Sequence, residues 1–588
     1  MDTELKTRLE SKIVGSIPIL NHFIEQLDLE ATFTKFLPRE PRRGRRTKIP
    51  PARTLLVLLR NLIVDKLALY RIPDWTRGHV PQLFELTEED LGSFTDERLG
   101  KALDLLYKAD RRSLVTQVIF AAVRAFKVEL RQIHNDTTTI SFFGKYEGQE
   151  FLGTVLLCRG FNKDHRPDLK QLVFSVCASA DGDVPVHFGL FDGNTTDDQV
   201  HCGIWDDLRE FIGHSDFIYV GDCKLCTQAN MFHIDSRQGK FITVLPRTRK
   251  EDGEFRDWVQ ENQIPWDEEK KLTNPRKESD PPHIFKVFES SRRSAEGYRI
   301  IWIWDSLKAA HDALTRKEHI DDALQGLQEL QGKIGKRNLK TRKQVEDAVS
   351  KVLVECKAAP YVNAHVDVEQ AKKFKQARPG RPSDTTPYLS QAEEKVALSW
   401  VENAGYIRWE SKTDGLFPLI TNMEEDGTTR PSSGGEPKSS KGAGEFSPMR
   451  ILDIYKYQPN VEKLHSMLKS FIRAMPVWLK KVERIEALMA LFFVALLIST
   501  LIQRQLRRKM ERLGIEELPL YPEEKECRKP TARIILELFE QQRRNRLFLS
   551  NRLQQTFWDP LSSLQREVLR LIGVDSKEYG HKRAESAN

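Results

Sequence analysis

Apolar residues recur at helical spacing through the first 128 positions. Leu55, Leu56, Leu59, Leu62 and Ile63 form one stripe, and a second helix is expected over Asp96 to Tyr107 with Thr95 as its N-cap. From Leu130 the period changes. QIHNDTTTISFFG, LVFSVCASADGDVPVHFGLF, FIYVGDC and KFITVLPR are β-rich runs separated by turn residues such as Asp181-Gly182 and Asp192-Gly193-Asn194. A helix is expected over Asp198 to Ile212. The order strand, strand, strand, helix, strand predicts an α/β or α+β layer on a mixed sheet flanked by helices. Residues 247 to 400 interrupt it: strand-like IFKVFES and YRIIWIWD precede a charged helical stretch striped by Ile320, Leu324, Leu327, Leu330 and Ile334. The sheet pattern returns at GLFPLITNM (415–423). A polar stretch at 424–448, rich in Gly, Ser, Thr and Lys, is expected to be disordered. A helix carrying Glu462, an apolar helix over 487–502 and a basic, helical tail complete the chain.

These patterns divide the chain into a helical N-terminal region (1–128), a first α/β half (129–246), an interrupting domain of strands and long helices (247–400), a second half where the sheet pattern returns (401–510) and a basic C-terminal region (511–588). At 588 residues the chain exceeds what one core supports. With 30% charged and 39% apolar residues it reads as soluble and globular. The basic excess, 92 Lys and Arg against 85 Asp and Glu, is small but uneven. Arg42, Arg43, Arg45, Arg46 and Lys48 form one run, and residues 503–588 hold 18 basic against 13 acidic side chains. Such clusters suit a polyanion, and equally a solvated face. Seven scattered cysteines form no secretory framework, so a reducing cytoplasm is expected. The 16 largely apolar residues from Ala487 to Ile502 fall short of the roughly 20 a membrane span needs, and a buried helix is the expectation.

Asp136 lies in IHNDTTTI, inside an expected strand, where a carboxylate is costly unless paired or metal-bound. Asp222 ends the run FIYVGDC, at the carboxyl end of a strand. Glu462 follows the expected start of a helix near Asn460. Three hard oxygen donors from separate segments are what Mg²⁺ prefers. Two such ions can activate an attacking oxygen and stabilise a leaving one at phosphorus. Spacing alone does not single out this triplet among 85 acidic residues. Asp197 in GNTTD reads as a turn or helix cap. Trp302 and Trp304 read as strand packing, or as stackers on a displaced base. RPGRP at 378–382, with Arg378 and Arg381, is similar to a minor-groove hook, or is a linker.

HNDTTT, GNTTD at 193–197, VGDCKLCT and the late helix together resemble the DDE transposases of bacterial insertion sequences, and most closely the insertion-sequence-four superfamily. Its signature places Tyr, Arg, Glu and Lys at fixed intervals. Tyr455, Gln458, Glu462 and Lys469 stand at those intervals, with Gln458 where the family has Arg. The resemblance implies an RNase H-like fold with the acids on the first strand, the fourth strand and a late helix, the last two separated by an insertion. The gaps of 86 and 240 residues between the acids agree with that layout.

It further implies that Asp136, Asp222 and Glu462 hold two Mg²⁺ ions, with Mn²⁺ as substitute. Tyr455, Gln458 and Lys469 would contact DNA, and the RPGRP loop adds Arg378 and Arg381 as expected DNA contacts on its own likeness to a minor-groove hook. The implied activity is cut-and-paste transposition: binding of terminal inverted repeats, cleavage, and strand transfer into target duplex. A homodimer working at the bacterial nucleoid, with no membrane partner, completes the expectation. The alternative is an inert, transposase-derived DNA-binding protein, favoured by Gln458 and by the 424–448 stretch before the catalytic helix.

Overall fold

The computed structural model describes residues 7–39, 49–144, 146, 153–163, 166–273, 281–336, 338–384, 386–425, 445–473, 479 and 481–580. The basic run at 42–48 and residues 426–444 of the polar stretch lie outside them. The described residues form two compact units. One holds those up to Thr243 and from Asp453 onward, the other those between Val244 and Leu452. The architecture is mixed α/β.

In the first unit the expected stripe on helix Pro51–Val64 is buried throughout. Helix Asp96–Lys108 starts at Thr95, whose hydroxyl accepts from the Arg98 N–H at 3.3 Å. The flanking segments differ from expectation. β1 (Thr7–Ile13) is a strand, and it pairs antiparallel with Arg543–Leu549, which turns back into strand Arg552–Trp558. The tail therefore is not wholly helical. Two local facts explain it. The turn residues Ser550 and Asn551 both take positive φ, as a two-residue hairpin with strand-matching twist requires. Glu10 lies opposite Arg546, an opposite-charge pair across the ladder.

Helix Val482–Leu513 is long and apolar enough to cross a membrane, yet its apolar window is wholly buried within the protein. Both ends of that window carry a buried, partnered charge. Glu486 meets Arg111 at 2.8 Å, and Arg504 binds Asp181 at 2.5 Å and donates to the carbonyl of Phe126 at 3.0 Å. An all-round apolar helix needs neighbours on every side, and here they include the N-terminal helices and a sheet strand.

That sheet consists of β2 (Gln132–Phe142), β3 (Lys170–Ser179), β4 (Val184–Phe191), β5 (Ile218–Val220) and β6 (Lys240–Val244). Their spatial order is β4-β3-β2-β5-β6. The first three form an antiparallel meander, while β5 runs parallel to β2 and β6 parallel to β5. The crossover from β4 to β5 is helix His201–Ile212, stopped by Gly213 at φ 85°.

The second unit holds β7 (Glu268–Leu272), β8 (His283–Glu289), β9 (Arg299–Asp305), the hairpin β10 (Val362–Gln376) and β11 (Tyr388–Glu402), and β12 (Leu416–Thr421). Strands β12, β9, β8 and β7 are antiparallel neighbours in that order. Trp302 is buried, its ring stacked on Phe255 at 3.7 Å and 10°, so it packs the sheet. The expected stripe on helix Ser306–Gln331 packs against helix Arg342–Glu355 and the root of the hairpin. The hairpin itself escapes the sequence pattern. Its outer half is mostly polar, while at the root Val362, Val366, Val396 and Leu398 are buried in a core and Ala364, Val368 and Trp400 pack against it.

Candidate active site

Asp136 stands in the middle of β2, opposite Val176 of β3. On the other side, β5 pairs in parallel so that His134 faces Val220. Carrying that register two residues further sets Asp222 level with Asp136, just beyond the carboxyl end of β5. Asp222 is fixed there by its own turn: Oδ1 accepts from the Lys224 N–H at 3.0 Å, and its carbonyl accepts from Thr243 Oγ1 at 2.5 Å.

Glu462 lies in the first turn of helix Pro459–Arg473, whose Val461, Leu464 and Leu468 are buried. The residue before this helix ties it to the sheet. Gln458 donates from Nε2 to the Asn135 carbonyl at 2.7 Å, and its Oε1 meets His134 Nδ1 at 2.8 Å. The Glu462 helix therefore begins directly over the strand that carries Asp136. Expected as a DNA contact, Gln458 is instead buried and turned toward β2, and it has no surface to offer a phosphate.

Asp136 feels the charges of the other two acids. Asp136 is pushed up to about 6, first by burial and further by the charges of Asp222 and Glu462, against the opposing pull of Lys163. Burial also raises Asp222, and Asp197 adds to it. Tyr455 is raised by burial and then by Asp222, Cys223, Glu462 and Asp136, which places its phenol at the same centre. Lys469 follows Glu462 by two helical turns on one face, and its charge helps hold His465 neutral.

Three participants were not anticipated as such. Lys163 puts its ammonium 4.0 Å from Asp136 Oδ1 and 3.1 Å from Asp197 Oδ2, and donates to the Thr137 carbonyl at 2.7 Å. Asp197, expected as a turn or cap, opens a short 3-10 helix and is drawn into the centre by that lysine. His465 is fully buried with Nε2 3.4 Å from Asp136 Oδ2, and burial lowers it to about 3. Neither of its ring nitrogens has a well-formed hydrogen bond. Its signal was in the sequence, since residue 465 follows 462 at the i, i+3 spacing of one helix face. Lys163 had none, because only the fold brings its loop over β2.

Among the described residues no three His, Cys, Asp or Glu side chains converge closely enough to form a metal cage as they stand. The donor types nevertheless suit a hard cation: Asp136, Asp222 and Glu462 are carboxylates on neighbouring elements, and Asp136 feels the charge of the other two. All seven cysteines are free thiols. Arg378 and Arg381 belong to the other unit, exposed at the tip of hairpin β10–β11.

No family model matches the chain, and no curated protein matches it. Among solved structures, the chain is similar to one described as "Cryo-EM structure of piggyBac transposase synaptic complex with hairpin DNA". The likeness has a TM-score of 0.25 at 10% identity and covers 50% of this chain and 59% of that one. No functional assignment rests on it.

Proposed function

We propose that this protein is a DNA transposase of the insertion-sequence type, cutting and joining phosphodiesters at a carboxylate centre made by Asp136, Asp222 and Glu462. The observation that carries the reading is the placement of the acids: Asp136 on a central strand, Asp222 level with it at the end of the parallel neighbour, and Glu462 at the start of a helix that Gln458 ties to β2, with Asp136 pushed up to about 6 chiefly by burial. Acids on a central strand, on its parallel neighbour and on a late helix are the layout of RNase H-like nucleotidyl transferases. The long segment between Asp222 and Glu462 is then the insertion domain.

These three side chains would hold Mg²⁺, or Mn²⁺ in its place, and the bound ions supply activation of the attacking oxygen and stabilisation of the leaving one. The protein's own groups do the rest. Gln458 fixes the Glu462 helix on β2. Lys163 holds Asp197 and offsets part of the negative charge before substrate enters. Tyr455 and Lys469, on the rim of the centre, orient end-DNA phosphates, the lysine as a point charge. Water and then the freed 3′ hydroxyl attack phosphorus at one site, so a homodimer presents two centres for two ends. The reaction belongs at the bacterial nucleoid.

Lys163 also supports a second reading. An ammonium 4.0 Å from Asp136 competes with a divalent cation, as in an inert DNA-binding descendant. Mg²⁺-dependent nicking of the element's own terminal repeats by the purified chain separates the two. Nicking that is lost in Asp136→Ala, with repeat binding kept, supports the enzyme. Normal binding without nicking in Mg²⁺ or Mn²⁺ leaves only the inert reading.

A further inference from the structure

Strands β10 and β11 pair over fifteen residues each, from Val362↔Glu402 to Gln376↔Tyr388. At about 3.3 Å per residue the ribbon is about 50 Å long. Its root is anchored by Val362, Val366, Val396 and Leu398 in a core with helix Ser306–Gln331. Its outer part buries almost nothing: Phe374, Tyr388 and Leu389 are 63%, 52% and 61% exposed. A long exposed ribbon is a liability unless something covers it.

Charge is segregated along it. The outer stretch, residues 370–391, holds Lys372, Lys373, Lys375, Arg378 and Arg381 against Asp384 alone. The root stretches, 362–369 and 393–402, hold Asp367, Glu369, Glu393, Glu394 and Glu402 against Lys395. The tip is built rather than loose. Ala377 N–H donates to the Pro387 carbonyl at 2.9 Å, and Ser383 N–H donates to Thr386 Oγ1 at 2.7 Å. Between these ties, Pro379 and Pro382 fix φ beside the two arginines. Stiffness in the unbound state lowers the ordering cost of binding.

We propose that the β10–β11 ribbon is a DNA arm: Arg378 and Arg381 enter the minor groove of an A·T-rich duplex, while Lys372, Lys373 and Lys375 neutralise flanking phosphates. The proposal rests on the reading that this chain handles DNA. A paired ribbon is too wide for a minor groove of about 6 Å, but a single Pro-stiffened loop with two guanidiniums fits it. The lysines alternate on both faces: Lys372 shares one with Phe374 and Tyr388, and Lys373 and Lys375 share the other with Leu389. Both walls of the groove are thereby met. The acidic root turns away phosphate and limits contact to the outer half.

The test uses the full chain and 25-base-pair duplexes, one with a central A·T tract and one all G·C, titrated at several salt concentrations. Arg378→Ala/Arg381→Ala should weaken A·T binding by about 10- to 100-fold and flatten the salt slope by about two contacts, with Tm unchanged. Lys372→Ala/Lys373→Ala/Lys375→Ala should weaken both duplexes alike. Netropsin, which fills the minor groove, should compete with the wild type. Binding of the arginine variant within twofold of wild type, at an unchanged salt slope, overturns the arm alone. So does an altered oligomeric state with DNA affinity intact, which would make the ribbon a self-association arm. A wild-type chain that binds neither duplex overturns both the arm and the transposase reading.

Discussion

Arg249, in the unit between Val244 and Leu452, holds Glu251 and Glu296 with four guanidinium hydrogen bonds of 2.8 to 3.2 Å. In the other unit, Asp136 has an ammonium at 4.0 Å, a neutral buried imidazole, and two more acids close enough to act on its charge. The bonds from Arg249 hold Glu251 at about 2, while burial and crowding push Asp136 up to about 6. One type of group thus shifts in opposite directions. Where donors match acceptors, the carboxylates stabilise the fold. Where a carboxylate is buried without donors that match it, the fold carries a cost that a ligand can relieve, and that is the mark of a site.

The largest test of this contrast is activity. Asp136→Ala, Asp222→Ala and Glu462→Ala should each lower Mg²⁺-dependent cleavage by roughly 10³-fold or more, with repeat binding within a few-fold of wild type. Glu251→Ala should leave cleavage nearly intact. Equal losses at both clusters would erase the distinction.

Stability should respond in the reverse sense. Arg249→Ala leaves two partly buried carboxylates without their donor and should cost about 2 kcal/mol in denaturant unfolding. Asp136→Asn keeps the shape and removes a crowded charge, so in chelator it should stabilise the metal-free protein by about 1 kcal/mol. A destabilised Asp136→Asn would mean that Lys163 alone balances the centre.

The smallest effect is with pH. Glu251 is lower in the folded state than its ordinary 4.5, so its contribution is complete above that value and lost as pH falls from 4.5 toward about 2. Wild type should therefore lose more stability than Glu251→Gln between pH 5 and pH 3, read from unfolding midpoints at each pH. Parallel losses would show that the Arg249 bonds contribute nothing.

Much of this was legible before any coordinates. Asp136 and Asp222 could be placed because β-branched and aromatic runs mark their strands, the first as a costly carboxylate inside one and the second at the carboxyl end of another. Thr95 as a cap follows from local backbone chemistry, and the helix from residue 96 follows the 3.6-residue period. The hairpin β10–β11 did not show as a whole: its root alternates apolar and polar residues, but its outer half is polar on both faces and owes its shape to the partner strand. β1 was hidden for a similar reason: its partner, Arg543–Leu549, lies over 500 residues away. Gln458 was visible as a departure from the family pattern, but spacing cannot say which way a side chain points, and only the fold turns it onto β2.

What the sequence determined by itself is what local physics writes: helices where apolar residues recur every three or four positions, strands where β-branched runs meet turns, and the acids that those elements carry. The tertiary structure alone decided which of those acids meet. The parallel register of β2 and β5 levels Asp222 with Asp136, and Gln458 pins the Glu462 helix above them. Lys163 comes to the same centre from a loop and Asp197 from a short 3-10 helix. Electrostatic energy depends on distance and burial in space, and neither is a property of position along the chain.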